Sequence, residues 1–420
     1  MTTLDHCRAL DAQDPLRALR HQFTLPDGVI YLDGNSLGAQ PKTAVHRVMQ
    51  AVTQEWGQGL IESWNSAGWI NLPQRIGDKI ARLVGAAPGE LVVADSTSVN
   101  LFKVLSAALT IAQADAAGRS VVLSERGNFP TDLYIAEALA KQRGCELVLT
   151  DSPDEISAHL ASGRVAVLML TQVDYKSGRI HDMAAVTALA HAHGTLALWD
   201  LAHSAGAFPV ALKAARADFA VGCGYKYLNG GPGAPAFVWV HPRHAERFWQ
   251  PLSGWMGHAA PFEFTPAYRP APGIARYLCG TPALLSMAAL ECGVDSVLAA
   301  EPFGGMAALR RKSLALTDLF IALVESRCGD QGLTVITPRE PALRGSQVAL
   351  ARSEGAYAIV QALIGRGVVG DFRAPDVLRF GFTPLYLRHV DVWDAVEHLR
   401  QVLASGEWRE PRFNRKAAVT

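Results

Sequence analysis

The strongest constraint on this chain is a rhythm of short apolar runs. From residue 91 to residue 240 the runs "LVVAD", "VVLSE", "ELVLT", "VAVLML", "LALWD", "FAVGCG" and "AFVWV" recur, spaced by segments such as "PTDLYIAEALAKQRG" and "DMAAVTALAHAHG". Continuous apolar runs of this length read as strands buried on both faces, and a helix between two such strands lets them lie parallel. The fold class that follows is α/β, with a mostly parallel central sheet and helices on both faces. Such sheets collect functional groups at the carboxyl ends of their strands. The residues that end these runs are therefore the first candidates for a site.

Near residue 285 the pattern turns into long helical sequence. "MAALRRKSLALTDLFIALVESR" carries apolar residues at three-to-four spacing and reads as one helix. "QVALA", "AYAIVQALIGRG", "VVGDF" and "VLRFGF" follow and make a smaller α+β unit, expected to pack with the N-terminal arm. The 420 residues suit more than one domain. The expected division is 1–58 as an arm belonging to the small domain, 59–300 as the large α/β domain and 301–420 as the small α+β domain. The polar tail from Glu407 onwards is expected to be loosely held.

Lysine plus arginine and aspartate plus glutamate number 39 each, so no basic excess points to nucleic acid or an anionic membrane. The first residues, "MTTLDHCRALDAQDPLRAL", lack the apolar core of a secretory signal, and no stretch is long and apolar enough for a membrane span. Six cysteines lie scattered without CxxC pairs or metal-ligand spacing, which fits reduced thiols in a cytoplasm and no metal. The expected partner is a small molecule.

One lysine is unusual. Lys226, in "VGCGYKYLNGGPGAPAFVWV", follows a strand and precedes a glycine-rich turn, while Asp200 ends the strand "LALWD" with His203 close behind. A lysine and a buried aspartate at neighbouring strand ends suit pyridoxal phosphate, whose aldehyde bonds a lysine and whose ring nitrogen needs an acidic partner. A structural ion pair is the plainer alternative. Ser96, Thr97 and Ser98 lead from "LVVAD" into a helix whose first N–H groups could take a phosphate, or could simply be capped. In "SERGNFPTDLYIAEAL", Phe129 stands where an aromatic face could cover a cofactor ring or staple the helix start, with Asp132 in the same turn.

Together with "YLDGNSLGAQP", "PLSGWMGH" and "LRFGFTPLY", these motifs resemble the kynureninase family, pyridoxal 5′-phosphate enzymes of the aspartate-aminotransferase fold (fold type I). The likeness runs from about Tyr31 to Tyr386, and "GNSLG", "NFPTD" and "SGWMGH" are its most specific parts. It implies hydrolysis of L-kynurenine to anthranilate and L-alanine in tryptophan catabolism, by a homodimer with shared active sites. Lys226 would be the cofactor-bonded lysine and Asp200 the partner of the ring nitrogen. Thr97, Ser98, Phe129, Asp132, Thr171 and His203 would complete the cofactor site. Tyr225, otherwise a packed aromatic, would contact the phosphate and relay protons, and Trp255 and Thr281 would reach the phosphate from a second subunit.

For the substrate, the resemblance makes Arg379 the bidentate partner of the α-carboxylate, with Asn35 and Ser36 nearby. Trp64 and Gly280 would frame the aromatic end. Vertebrate members of the family carry His and Asn around these places, so Trp64 and Thr281 resemble the bacterial form, which prefers kynurenine without the ring hydroxyl.

Two other readings compete. A cysteine desulfurase or aminotransferase would share the fold, and a desulfurase needs a nucleophilic cysteine on a mobile loop, for which "ESRCGDQG" offers Cys328. A catalytically silent scaffold would bind no cofactor and stay colourless.

Overall fold

The computed structural model of the chain describes residues 2–416. The apolar runs become one seven-stranded sheet. Its strands in chain order are β1 (Leu91–Ala94), β2 (Val121–Glu125), β3 (Glu146–Thr150), β4 (Val165–Thr171), β5 (Leu196–Asp200), β6 (Phe219–Gly222) and β7 (Ala236–Val240). They lie side by side in the order β1-β7-β6-β5-β4-β2-β3. Strands β2 to β6 are parallel, whereas β7 runs antiparallel to both of its neighbours. No helix interrupts the β6–β7 connection, so the chain turns straight back, and that return loop carries Tyr225 and Lys226.

Alternation within β1 explains the continuous apolar runs. Leu91 and Val93 join the core on one face of the sheet, and Val92 and Ala94 join the core on the other. Helix α1 (Thr97–Asp115) follows β1, α2 (Pro130–Gln142) follows β2 and α3 (Met183–Ala192) lies between β4 and β5. Ser96 caps α1 by accepting from the Val99 N–H at 3.3 Å, an interaction that stabilises a helix by about 1 kcal/mol.

The C-terminal part holds a four-stranded antiparallel sheet of β8 (Thr334–Val335), β9 (Gln347–Ala351), β10 (Asp371–Arg373) and β11 (Val377–Gly381), in the order β8-β9-β11-β10. The expected helices are there, as Gly305–Cys328 and Ala356–Gly365. The N-terminal arm does pack on this unit. Ile30–Tyr31 pairs in parallel with Val368–Val369, and the Asp11 carboxylate accepts from the N–H groups of His389 and Val390 (2.7 and 3.0 Å) at the start of helix His389–Ser405. Those N–H groups have no partner inside the helix, and a carboxylate suits its positive end.

The tail is not loose up to residue 416. Glu407–Arg409 and Pro411–Asn414 form helical turns, and Trp408 is 4% exposed, packed so tightly over Gly355 that a Cβ there would sit 2.2 Å from the indole. The polar surroundings of Trp408 masked this aromatic anchor in the sequence. The rest of that expectation, residues 417–420, lies outside the described residues.

Candidate active site

The ends of β4 and β5, the start of α1 and the loop after β6 converge on one cavity of about 70 Å³. Thr97, Ser98, Phe129, Asp132, Thr171, Tyr175, Asp200, His203, Tyr225 and Lys226 line it. Adjacent parallel strands deliver two of them directly, because β4 and β5 pair in a register that sets Thr171 beside Asp200. The "GNSLG" segment closes on the lysine loop from the arm: the Gly38 N–H donates to the Tyr225 carbonyl at 2.7 Å, and a Cβ on Gly38 would lie 2.3 Å from the Lys226 carbonyl oxygen. Only glycine permits that approach.

Lys226 Nζ lies 3.0 Å from His203 Nε2 and 6.0 Å from the centre of the Phe129 ring. Burial, and then the charges of Lys226, Arg379 and Arg373, hold His203 well below the usual imidazole range, so its ring is neutral. Burial holds Asp200 above the usual carboxylate range, although Lys226, the Ala202 N–H (2.7 Å) and a hydrogen bond from Asp132 offset part of that rise. Asp132 is lifted well above the carboxylate range by burial and by the neighbouring Asp200 charge, which makes Asp132 the protonated member of the pair. Burial also raises Tyr225, so its phenol keeps its proton.

Thr171 donates to Asn128 Oδ1, and the Phe129 N–H donates to the same oxygen at 2.6 Å. Phe129 is 41% exposed at the rim, with Tyr175 packed edge-on at 5.4 Å.

The substrate residues expected from the sequence divide. Arg379 is buried beside Ser36, whose hydroxyl accepts from Nη2 at 2.8 Å, but its fork is taken by Asp371, through Nε at 2.8 Å and through Nη2. The Nη1 group donates to the Tyr175 carbonyl at 2.6 Å. Asn35 lies outside the cavity, buried against Gly381 with both polar side-chain atoms unpartnered. Trp64 and Trp255 also lie apart from the cavity and pack edge to face at 5.8 Å, with Phe262 behind Trp255. Gly280 and Thr281 line a second cavity of about 500 Å³, which shares Tyr225 with the first.

Sequence reading missed Asp33, Asn128, Tyr175, Asp371 and Arg373. Asp371 stands directly opposite Arg379 across β10 and β11, and the one charged residue in the otherwise apolar β11, "VLRFG", was the signal available for its partner. Burial and then the Arg379 and Arg373 charges act on Asp371 in opposite senses; the arginines win and hold its carboxyl below the usual range. Asp33, facing Asp371 without a guanidinium of its own, is pushed up to about 7 by burial and by that charge.

The donor set fits pyridoxal phosphate. Thr97 Oγ1 is buried without a partner at the start of a long helix, where free N–H groups favour an anion, and Asp200 and Lys226 supply the acid and the amine. Among the described residues no cluster could hold a metal ion. Cys328 ends its helix fully buried, and burial pushes its thiol up to about 11, so it is no loop-borne nucleophile.

Residues 30–346 match the aminotransferase class-V family, and residues 309–399 match the kynureninase C-terminal domain. The chain is 57% identical to a kynureninase of Burkholderia pseudomallei (strain 1106a) and 56% identical to a kynureninase of Pseudomonas fluorescens, each over 422 residues and 100% of both chains. Among solved structures it is similar to the apo form of a cysteine desulfurase from Thermococcus onnurineus NA1 (TM-score 0.76, 18% identity, 92% of this chain and 98% of that one). It is also similar to a C-DES mutant with glycine covalently linked to its PLP cofactor (TM-score 0.76, 17% identity, 92% and 98%). At these identities the two structures establish the fold alone, that of fold-type-I pyridoxal phosphate enzymes.

Proposed function

Because this chain belongs to the kynureninase family, we propose that the residues around Lys226 divide its chemistry as set out below. The reaction is hydrolysis of L-kynurenine: water is consumed, the Cβ–Cγ bond breaks, and anthranilate and L-alanine leave. The cofactor is pyridoxal 5′-phosphate. Bound, it supplies an electron sink for the pair left on the substrate's Cα.

The observation that carries the site assignment is the Lys226 amine, 3.0 Å from a buried neutral histidine and in one cavity with Asp200. Lys226 would hold the cofactor through its aldehyde, and its free amine would take the proton from Cα as general base. Asp200 serves the ring nitrogen, and Asp132 helps it by holding the pair's one proton. The Thr97 hydroxyl, the first N–H groups of α1 and Tyr225 take the phosphate. Tyr225 also gives and takes protons at the departing carbons, since its phenol stays protonated. Phe129 would cover the ring, while Ser36 and Arg379 hold the α-carboxylate, Arg379 through the Nη1 hydrogen that does not go to the Tyr175 carbonyl. Holding reactants in register in this way supplies up to roughly 7–11 kcal/mol of a barrier.

Trp255 and Thr281 serve the phosphate site of a second copy, and Trp64 and Gly280 frame the aromatic end of the substrate, with L-kynurenine preferred over its 3-hydroxy form. A homodimer is supported by an apolar face beside the lysine loop: Val45, Met49 and Leu285 line a groove of about 680 Å³ and are 51%, 58% and 39% exposed. A cytoplasmic location is supported by six free cysteines. Among the described residues no helix is long and apolar enough to cross a membrane.

The test is to incubate the purified protein with pyridoxal phosphate and L-kynurenine. Equimolar anthranilate, followed by its fluorescence, and alanine are expected. Alanine without anthranilate would overturn the reading.

A further inference from the structure

We propose that Gln347 is a positioning residue for this site: it fixes the proton of His203 on Nδ1, so that Nε2 offers a lone pair to the Lys226 amine. The inference rests on the reading of Lys226 given above, and it comes from the hydrogen-bonding capacity of each atom in a buried row.

Gln347 opens β9 of the small sheet and is 1% exposed. Its side chain reaches out of that sheet to the loop that follows β4. There Nε2 lies 3.1 Å from the Tyr175 carbonyl oxygen and 3.4 Å from that of Asp174. Carbonyl oxygens only accept, so the atom facing them is the amide nitrogen, and Oε1 is the atom turned to His203 Nδ1 at 3.1 Å. An amide oxygen only accepts, which puts a hydrogen on Nδ1. A neutral imidazole has one such hydrogen, and Nε2 is left as an acceptor 3.0 Å from Lys226 Nζ.

The row is built into the backbone. Gly178, at φ +76°, lets the loop close on Gln347, since a Cβ there would sit 2.8 Å from Gln347 Cγ. The Tyr175 carbonyl that receives Gln347 also receives Arg379 Nη1 at 2.6 Å. One side chain thus joins the amine end of the site to its carboxylate end. Without Gln347 the ring is free to carry its proton on Nε2, which would donate to Nζ and occupy the lone pair that Lys226 needs as a base.

The test uses the full-length protein freed of cofactor and labelled with ¹⁵N-histidine. The His203 ring signals are identified by their loss in His203→Gln. The parent is expected to show a protonated Nδ1 and an unprotonated Nε2. Gln347→Met, which keeps length and apolar volume but removes the amide, is expected to show the reverse or an average of the two. In the reconstituted enzyme the same variant is expected to lose about 10- to 100-fold in kcat, the cost typical of removing the partner that orients a histidine, with KM within twofold. A parent His203 protonated on Nε2 overturns the proposal even if the variant does not fold, and so does an unchanged ring pattern in Gln347→Met. Because the ring signals are read without cofactor, they stand or fall separately from the cofactor's attachment to Lys226.

Discussion

Arg379 and Asp371 form a closed ion pair, each side chain 1% exposed, with Nε and Nη2 of the arginine both given to the carboxylate. The pair fixes the guanidinium, whose Nη1 gives one hydrogen to the Tyr175 carbonyl; the other is the donor proposed for a substrate carboxylate. Arg379→Lys replaces the fork with a point charge, which cannot hold Asp371 and a second carboxylate in one geometry. Losing one charged hydrogen bond costs about 1.5–3 kcal/mol, so kcat/KM for L-kynurenine should fall roughly 10- to 100-fold, mostly through KM. Steady-state kinetics that changed less than threefold would contradict this role.

Asp200→Asn should keep the fold and lose most turnover. The neutral amide can still accept the Ala202 N–H but cannot stabilise a positive ring nitrogen. Removing a preorganised charge of this kind costs about 100-fold or more in kcat. Circular dichroism should match the parent, and turnover close to the parent's would argue against the assignment.

Asp33 makes stability depend on pH. Its folded carboxyl titrates at about 7, above its ordinary value of 3.8. Below the ordinary value both folded and unfolded chains hold the proton and the contribution is fully present. Between the two values only the folded chain holds it, so stability falls as pH rises, with a limiting slope of about 1.4 kcal/mol per pH unit. Asp33→Asn has no proton to lose and should flatten the dependence of Tm between pH 5 and pH 8. Parallel Tm curves for the two proteins would refute this.

Much of the site was legible in the sequence because the chemistry sits at strand ends, and strands buried on both faces announce their ends by where apolar residues stop. Asp200 and Lys226 were found that way, and Thr171, named through the family resemblance, ends a strand as well. Asp371 and Asp33 were not found: Asp371 meets Arg379 across a three-residue strand of mixed polarity, and Asp33 lies in a turn whose charged neighbour, Asp371, is hundreds of residues away. Gln347 escaped for a related reason: an uncharged amide at the start of an apolar strand looks like a boundary residue until the Tyr175 carbonyl is seen beside it. Trp408 escaped because a single aromatic in a polar tail gives no sign that it packs on Gly355.

Specificity gives a prediction at the other end of the substrate. If Trp64, Gly280 and Thr281 border the aromatic ring, a ring hydroxyl would be buried with few partners, at a cost of about 1–3 kcal/mol or one to two powers of ten in kcat/KM. L-kynurenine should therefore be used better than 3-hydroxy-L-kynurenine. A combined Trp64→His and Thr281→Asn change should narrow or reverse that preference, and the two changes need not add. Equal or better use of the hydroxylated substrate by the unmodified protein would end this reading.

The central claim is that one amine, that of Lys226, carries the cofactor. Reduction of the cofactor-loaded protein with borohydride, followed by proteolysis and mass mapping, tests it most directly. A single pyridoxyl label is expected on the peptide that contains Lys226, absent from Lys226→Ala. A label on any other lysine, or one that persists in the variant, would contradict it.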